Sequence, residues 1–314
     1  MKYLYGLLCV FTFSYSFSND YVINSFDNHS IHGTLLESAG SNSVLSIIIS
    51  GSGPTDRDGN NTSLKSDYIK MLAEGLFENG VSSYRYDKRG VSNSIGNIQS
   101  ENDIKFIDYI NDVVSIINHF KDTKEYKRIV VIGHSEGALI GMIASRLNAD
   151  SFISIAGAGE DYLTLIQRQL SIQPPYVKSM SDPIIEKLKN KELVDSVPPL
   201  LNSLFNKTIQ NYLIDASSYD PKEEISKLDI PVLIVQGSND IQIEVKDAQL
   251  LHKAAKKSRI EIIQGMNHVF RQAPENRLLN MQTYGNPELS IDGSLINLII
   301  DFLNEEYALR LGSR

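Results

Sequence analysis

The sequence predicts an α/β fold in which a mostly parallel central sheet has helices on both faces and carries a helical insertion. Short apolar, β-branched runs alternate along the chain with segments whose apolar residues recur at helical spacing. The strand-like runs are apolar throughout rather than at every second residue, which is typical of strands buried on both faces. The length, 314 residues, is enough to bury such a core without disulfides or metals.

The predicted elements follow in a regular order. An antiparallel hairpin over residues 21–36, turning near Asp27 and Asn28, comes first. Six further strands are predicted at residues 44–50, 81–87, 129–132, 152–156, 231–235 and 260–263. Helices are predicted at residues 68–77 (stopping at Asn79-Gly80), 107–120, 138–147, 244–257 and 295–303.

One stretch interrupts this alternation. Residues 159–220 are helical and mixed, with breaks at Pro174-Pro175 and Pro198-Pro199. A long insertion at the carboxyl edge of such a sheet usually covers the functional site. We therefore expect a lid over 159–220 and a core domain formed by 19–158 and 221–314.

Residues 1–18 have the order of a secretory signal: Lys2, an apolar run over 4–13, and small residues before an expected cleavage at Asn19. The apolar run has only about ten residues, whereas a membrane span needs about 20, so we predict no stable membrane span. The predicted location is exported, in the periplasm or secreted. Cys9, the one cysteine, falls in this leader, and the bulky Leu8 disfavours lipid attachment there. Neither disulfides nor cysteine catalysis is expected in the mature chain.

Charge and motifs exclude several function classes. With 30 basic and 38 acidic residues the net charge is −8, which argues against nucleic-acid binding. The sequence has no H-E-x-x-H motif and no spaced cluster of metal ligands. We predict neither a metal nor a cofactor.

The strongest chemical motif is GHSEG, residues 133–137, which directly follows a predicted strand and opens a helix. G-x-S-x-G alone is a weak signal, but in this context a sharp turn would strain Ser135 and expose its hydroxyl above the sheet. Glycines are needed on both sides because side chains there would collide with the neighbouring helix and strand. The helix dipole favours negative charge at this point. Ser135 is the predicted nucleophile; the alternative is an idle serine in a glycine-rich turn.

A serine nucleophile needs a base, and two histidines follow Ser135 in the sequence. His252 falls inside a predicted helix, where a surface histidine is expected. His268 ends GMNH, just beyond the strand at 260–263, in a loop at a strand's carboxyl end, where such sheets place reacting groups. His268 is the predicted base.

The predicted acid is Asp240, which ends GSND directly after the strand at 231–235. The 28 residues from Asp240 to His268 accommodate one helix, one strand and two short loops, which brings both to neighbouring strand ends. Asp215, Asp220 and Asp229 precede this strand and are poorer candidates; Asp220, followed by proline, is expected to start a turn or cap a helix. The order Ser…Asp…His suits this topology.

Two backbone N–H groups are predicted to hold the oxyanion of a tetrahedral intermediate. One belongs to Glu136, just after the nucleophile, and the other to Gly53, with Ser52 as the alternative, in the loop GSGPTDRDG at 51–59. A plain turn is the competing interpretation of this loop. Charged residues nearby are expected to be structural: Asp56, Arg57 and Asp58 stiffening the loop, and Arg85, Asp87, Lys88 and Arg89 of RYDKRG forming an ion network beside the site.

Taken together, the GHSEG elbow, GSND, GMNH, GSGPTDRDG and RYDKRGVSNS resemble an α/β-hydrolase over about residues 21–305. The likeness is to bacterial esterases that carry a G-S-G-P-x-D-R-D loop and are grouped with serine aminopeptidase-like hydrolases. The H-G-G-G loop of many lipases and the H-G-G-P-G loop of proline iminopeptidases are both absent. The resemblance does not extend to the lid.

This resemblance implies a carboxylesterase-type serine hydrolase that cleaves small-molecule esters of small to medium acyl chains through an acyl-enzyme at Ser135. The alternative enzyme is a serine aminopeptidase or amidase with the same triad, which would need carboxylates to grip a free amino group. The predicted lid offers Glu160, Asp161, Asp195 and Asp215. A non-catalytic binding protein on this fold is a third hypothesis, against which the intact triad argues.

Overall fold

The computed structural model describes residues 19–38 and 44–312, and the predicted leader at 1–18 lies outside them. Eight strands form one sheet in the order β1-β2-β4-β3-β5-β6-β7-β8. They are β1 (Asn19–Asn24), β2 (Ser30–Leu36), β3 (Val44–Ile49), β4 (Ser82–Tyr86), β5 (Arg128–His134), β6 (Ser151–Ile155), β7 (Val232–Gly237) and β8 (Ser258–Ile263). β1 and β2 form the predicted hairpin, β2 pairs antiparallel with β4, and the remaining neighbours are parallel.

The helices alternate with the strands as predicted. They are α1 (Tyr68–Glu78), α2 (Phe106–Thr123), α3 (Glu136–Asn148), α4 (Tyr162–Ser171), α5 (Pro175–Lys189), α6 (Asn202–Phe205), α7 (Lys207–Ala216), α8 (Pro221–Ser226), α9 (Val245–Ala254), α10 (Arg277–Gln282) and α11 (Gly293–Gly312). The sheet and its covering helices confirm the predicted fold class.

One local prediction needs correction. The predicted helix at 244–257 is too long, because Ala255 has extended backbone (φ −71°, ψ 141°) and ends α9 at Ala254. Pro175 begins α5, where its missing N–H costs nothing, but α5 continues through Pro183. The predicted break at Pro174-Pro175 therefore separates α4 from α5, whereas Pro183 lies within α5.

The core lies on both faces of the sheet. One apolar cluster packs α2, α3 and α9 against it, and a second packs α1 and α11 against the opposite face. Helices α4–α7 belong to the insertion at 159–220 and bury a separate small cluster around Ile185, Phe205 and Leu213. Because all parallel strands end at one edge, the loops after β3, β5, β7 and β8 meet there.

Candidate active site

Ser135 lies in the sharp turn between β5 and α3, with φ 55° and ψ −119°. This backbone conformation is costly for a non-glycine residue and is typical of functional turns. A Cβ on Gly133 would lie 2.2 Å from the carbonyl oxygen of Gly137, and one on Gly137 would lie 2.5 Å from that of Ile49. The predicted strain and the predicted need for both glycines are therefore present in the structure.

Asp240 and His268 meet at neighbouring strand ends. Nδ1 of His268 lies 2.8 Å from Oδ2 of Asp240, and both side chains are buried. The other carboxylate oxygen accepts the backbone N–H groups of Gln242 and Ile243 at 2.8 and 3.0 Å, while the Gln236 amide donates to Oδ2. These bonds hold the carboxylate in one orientation, with one oxygen directed at the imidazole.

His134, which precedes Ser135, links the elbow to the His268 loop. Its ring lies 4.6 Å from the His268 ring, centroid to centroid, and its Nε2 is 2.9 Å from the His268 backbone carbonyl. Burial, together with the nearby His268 and Lys88, lowers the pKa of His134 well below its ordinary value. No sequence pattern indicated that His134 contacts the His268 loop, because the two residues are 134 positions apart.

The other residues that the sequence offered as base or acid are engaged elsewhere. His252 is bonded to the Ser258 hydroxyl, as expected for a surface histidine. Asp220 caps α8 by accepting the Lys222 N–H. Asp229 forms an exposed ion pair with a lysine, and Asp215 accepts the N–H of Phe106.

Ser135 opens onto a cavity of about 330 Å³ between the core and the insertion. The predicted oxyanion residues Ser52, Gly53 and Glu136 line the same cavity. Gly53 has φ +76° and open space where a Cβ would be, so the backbone there is accessible. The remaining wall is mainly apolar, formed by Leu139, Ala158, Leu165, Ile166, Leu204, Ile209, Leu213, Pro221 and Ile243.

Of the four insertion carboxylates considered for gripping an amine, the cavity lining includes Glu160. Its oxygens lie 3.6 Å from both Arg168 and Lys246. Asp161 instead caps α4, and Asp195 forms an exposed ion pair. Glu160 therefore already has two cationic partners, of which Arg168 is shared with Asp247 and Glu244.

The charged residues of the RYDKRG loop form the predicted ion pairs, while in the 51–59 loop Arg57 and Asp58 pair with residues outside it and Asp56 accepts the backbone N–H groups of Asp58 and Asn60. Arg57 binds Asp87 at 2.8 Å, and Arg85 binds Asp58 at 2.7 Å, so the loop at 51–59 is stiffened by partners outside it. Arg89 pairs with Asp112 and Asp27. Lys88 pairs with Glu136, a contact that sequence reasoning missed although both residues were singled out separately.

Two further polar residues tie the acid and base loops together. Asn280 of α10 donates to the carbonyl of Asn239, next to Asp240, and accepts from the amide of Asn267, next to His268. Both asparagines are buried. No sequence pattern indicated Asn280, because it lies outside every motif.

Within residues 19–38 and 44–312, no cluster of three or more His, Cys, Asp or Glu is arranged to hold a metal ion. Among the helices of these described segments, none has the length and apolar character required to cross a bilayer.

Comparisons with known proteins agree on the fold. Esterase EstD of Thermotoga maritima is 28% identical over 236 residues, which cover 71% of this chain and 53% of the relative. The chain thus spans about half the length of this curated relative. Est1E from Butyrivibrio proteoclasticus, solved with ferulic acid bound, superposes with a TM-score of 0.61 at 19% identity, covering 92% and 99% of the two chains. An esterase from Pyrococcus furiosus superposes with a TM-score of 0.61 at 17% identity, covering 93% of this chain and 91% of that structure's chain.

The family model described as serine aminopeptidase, S33, matches residues 64–272. That span contains the GHSEG elbow, Asp240 and His268, and begins after the GSGPTDRDG loop. The match covers more than half of the sequence. The chain therefore belongs to the S33 serine aminopeptidase family of α/β-hydrolases.

Proposed function

We propose that this protein is a carboxylesterase that cleaves small to medium acyl esters through an acyl-enzyme, with Ser135, Asp240 and His268 as its triad. The observation that carries the proposal is the strained Ser135 at the floor of an apolar cavity, joined through His134 to a buried His268–Asp240 pair. The family and the esterase relative support the reaction type.

In the first half of the reaction, Ser135 Oγ attacks the ester carbonyl carbon while its proton passes to Nε2 of His268. Asp240 holds the imidazole through Nδ1 and stabilises the imidazolium. The carbonyl oxygen becomes an oxyanion that accepts the N–H groups of Gly53 and Glu136. Collapse of the intermediate breaks the bond to the alcohol, which leaves with the proton from His268.

In the second half, a water molecule attacks the acyl-enzyme and gives its proton to His268. The second tetrahedral intermediate uses the same two N–H groups. When it collapses, Ser135 Oγ recovers the proton and the carboxylic acid leaves. No metal or cofactor takes part in this mechanism.

The insertion at 159–220 supports the proposed substrate class. Its side chains supply much of the apolar wall, including Leu165, Ile166, Leu204 and Leu213. A cavity of about 330 Å³ is near the lower end of ligand pockets, which run from about 300 to 1,000 Å³. We propose that the insertion acts as a lid over a pocket for acyl chains up to about octanoate.

Aminopeptidase activity is the second candidate, because the family includes it by name. A free α-amino group would need an unpaired carboxylate near the nucleophile. Glu160 is not unpaired, because it lies 3.6 Å from both Arg168 and Lys246, and Arg168 is shared with Asp247 and Glu244. Because Glu160 already has cationic partners, an uncharged ester is favoured over an ammonium-bearing substrate.

The experiment measures hydrolysis of p-nitrophenyl esters from acetate to hexadecanoate beside aminoacyl anilides. We expect turnover from acetate to octanoate, a decline for longer chains, and a loss of about 10³-fold or more in Ser135→Ala. Anilide turnover above ester turnover would favour the aminopeptidase. Unchanged ester turnover in Ser135→Ala would reject the mechanism.

A further inference from the structure

A buried lysine lies beside the proposed oxyanion loop. Nζ of Lys88 is 3.0 Å from Oε2 of Glu136 and donates to the backbone carbonyl of Gly51 at 2.5 Å. The side chains of Lys88 and Glu136 are only 2% and 3% exposed. One ammonium group therefore contacts both segments that carry the proposed oxyanion donors.

Glu136 also contacts the insertion. Its Oε1 accepts the Tyr212 hydroxyl of α7 at 2.6 Å. Tyr162, in α4, lines the same cavity as Glu136 and Ser52 and interacts electrostatically with the Glu136 carboxylate. Desolvation and the adjacent carboxylate raise the pKa of both tyrosines well above the ordinary value, so both remain protonated donors.

Gly51 links the Lys88–Glu136 pair to the turn that carries Ser135. A Cβ on Gly51 would lie 3.3 Å from the Cβ of Ser135, so its backbone packs directly on the nucleophile. The amides of Ser52 and Gly53 come next in the chain. Holding the Gly51 carbonyl through Lys88 therefore fixes the direction of those N–H groups relative to Ser135.

The buried charge of Glu136 is a second reason for a functional role of Lys88. Glu136 places a buried carboxylate one residue after the nucleophile, where it would oppose an oxyanion forming at its own N–H. The ammonium of Lys88 neutralises that carboxylate. A buried ion pair of this kind seldom adds stability beyond that of a well-packed uncharged pair, so stability alone does not account for it.

We propose that Lys88 and Glu136 are positioning residues that set the oxyanion-binding loop and fasten it to the insertion through Tyr212 and Tyr162. Stabilisation of the oxyanion then depends on the insertion being closed over the cavity. This inference rests on the proposed esterase mechanism, because it concerns the same two backbone donors.

The principal variant is the double substitution Lys88→Met/Glu136→Gln. It leaves no unpaired buried charge, whereas Lys88→Met alone is expected to destabilise the fold. We expect the double variant to fold with kcat lowered about 10- to 100-fold and KM within twofold, because loss of oxyanion stabilisation acts on the transition state. Its rate of covalent phosphonylation by a p-nitrophenyl alkylphosphonate should fall in parallel.

Two more variants complete the test. Tyr212→Phe, which keeps both charges, should lower kcat several-fold at unchanged KM. Lys121→Met, which removes a lysine paired with Asp150 away from the cavity, is the matched control and should keep wild-type kinetics.

A folded double variant with wild-type kcat and phosphonylation rate would overturn the inference, while Ser135→Ala stayed inactive and the esterase mechanism stood. A change confined to KM or to thermal stability would likewise reject a positioning role. If Ser135→Ala itself kept full activity, the proposed function would fail instead.

Discussion

The hydroxyl of Tyr68 lies 3.1 Å from Nδ1 of His134, in a fully buried contact. Nε2 of His134 faces the backbone carbonyl of His268, which can only accept. Nε2 therefore carries the proton, and Nδ1 accepts the hydroxyl of Tyr68. Neutral His134, in a single tautomer, thus holds the backbone of the proposed base His268, and Tyr68 of α1 holds His134.

Tyr68→Phe should destabilise the protein without abolishing activity. The substitution leaves a buried acceptor, Nδ1 of His134, without its donor, which costs about 1–3 kcal/mol. Urea denaturation monitored by circular dichroism measures the change in unfolding free energy. Tyr176→Phe, at an exposed tyrosine of α5, is the control and should change nothing; equal stability of the two variants would contradict the contact.

His134 should make the stability of the protein depend on pH. Because its pKa in the folded state is well below 6.5, the unfolded chain binds a proton below about pH 6.5 that the native chain does not. The unfolding free energy should therefore fall as the pH drops below 6.5, by up to about 1.4 kcal/mol per pH unit from this group.

The comparison is with His134→Gln, which keeps an amide donor but does not titrate. Denaturation curves between pH 5 and 8 should show a smaller slope below 6.5 in the variant. Identical slopes would show that His134 does not carry the effect.

Asp240→Asn should reduce kcat by roughly 10³- to 10⁴-fold, as expected when a triad loses the carboxylate that orients its imidazole. The fold should survive, because an amide oxygen can still accept the N–H groups of Gln242 and Ile243. Asp220→Asn, which retains a capping side chain on α8, should keep full activity. If Asp220→Asn lost activity instead, Asp220 rather than Asp240 would be the acid of the triad.

Gly137→Ala should lower the unfolding free energy much more than Gly80→Ala, a substitution at a glycine with positive φ and open space around it. The new Cβ would lie 2.5 and 2.6 Å from the backbone oxygens of Ile49 and Ser50, neither of which can move freely. We expect a loss of about 3 kcal/mol. Gly80→Ala, with φ +82° and open space, should cost only about 1 kcal/mol of backbone strain. Similar melting temperatures for the two variants would contradict the packing described here.

The sequence predicted the sheet, its helices and the loops of the three triad candidates, because those features depend on local patterns. Continuous apolar runs mark β3 and β5 as buried strands, and the G-x-S-x-G turn limits the backbone around Ser135 to few conformations. The proximity of Asp240 and His268 could be predicted because parallel strands end at one edge of the sheet. Each of these inferences uses a rule that acts over short stretches of chain.

The contacts that support the site were not predictable in the same way. Lys88 and Glu136 are 48 residues apart, and Tyr212 is 76 residues beyond Glu136. The Lys88–Glu136 pair depends on how the loop after β4 packs against the start of α3, and the Tyr212 contact depends on how the insertion packs on the core. Neither arrangement leaves a recognisable local pattern in the sequence. The end of α9 was misplaced for a smaller reason: Ala254-Ala255 continues the helical composition, but the chain turns there to enter β8.

The acyl-enzyme can be trapped to show whether Ser135 is the nucleophile. The protein is mixed with p-nitrophenyl butyrate, quenched in acid within the first turnovers and digested, and the acylated peptide is identified by mass spectrometry. We expect a single butyryl group on Ser135, formed at the rate of the p-nitrophenol burst and absent from Ser135→Ala. Acylation of another residue during turnover, or continued ester hydrolysis by Ser135→Ala, would contradict this expectation.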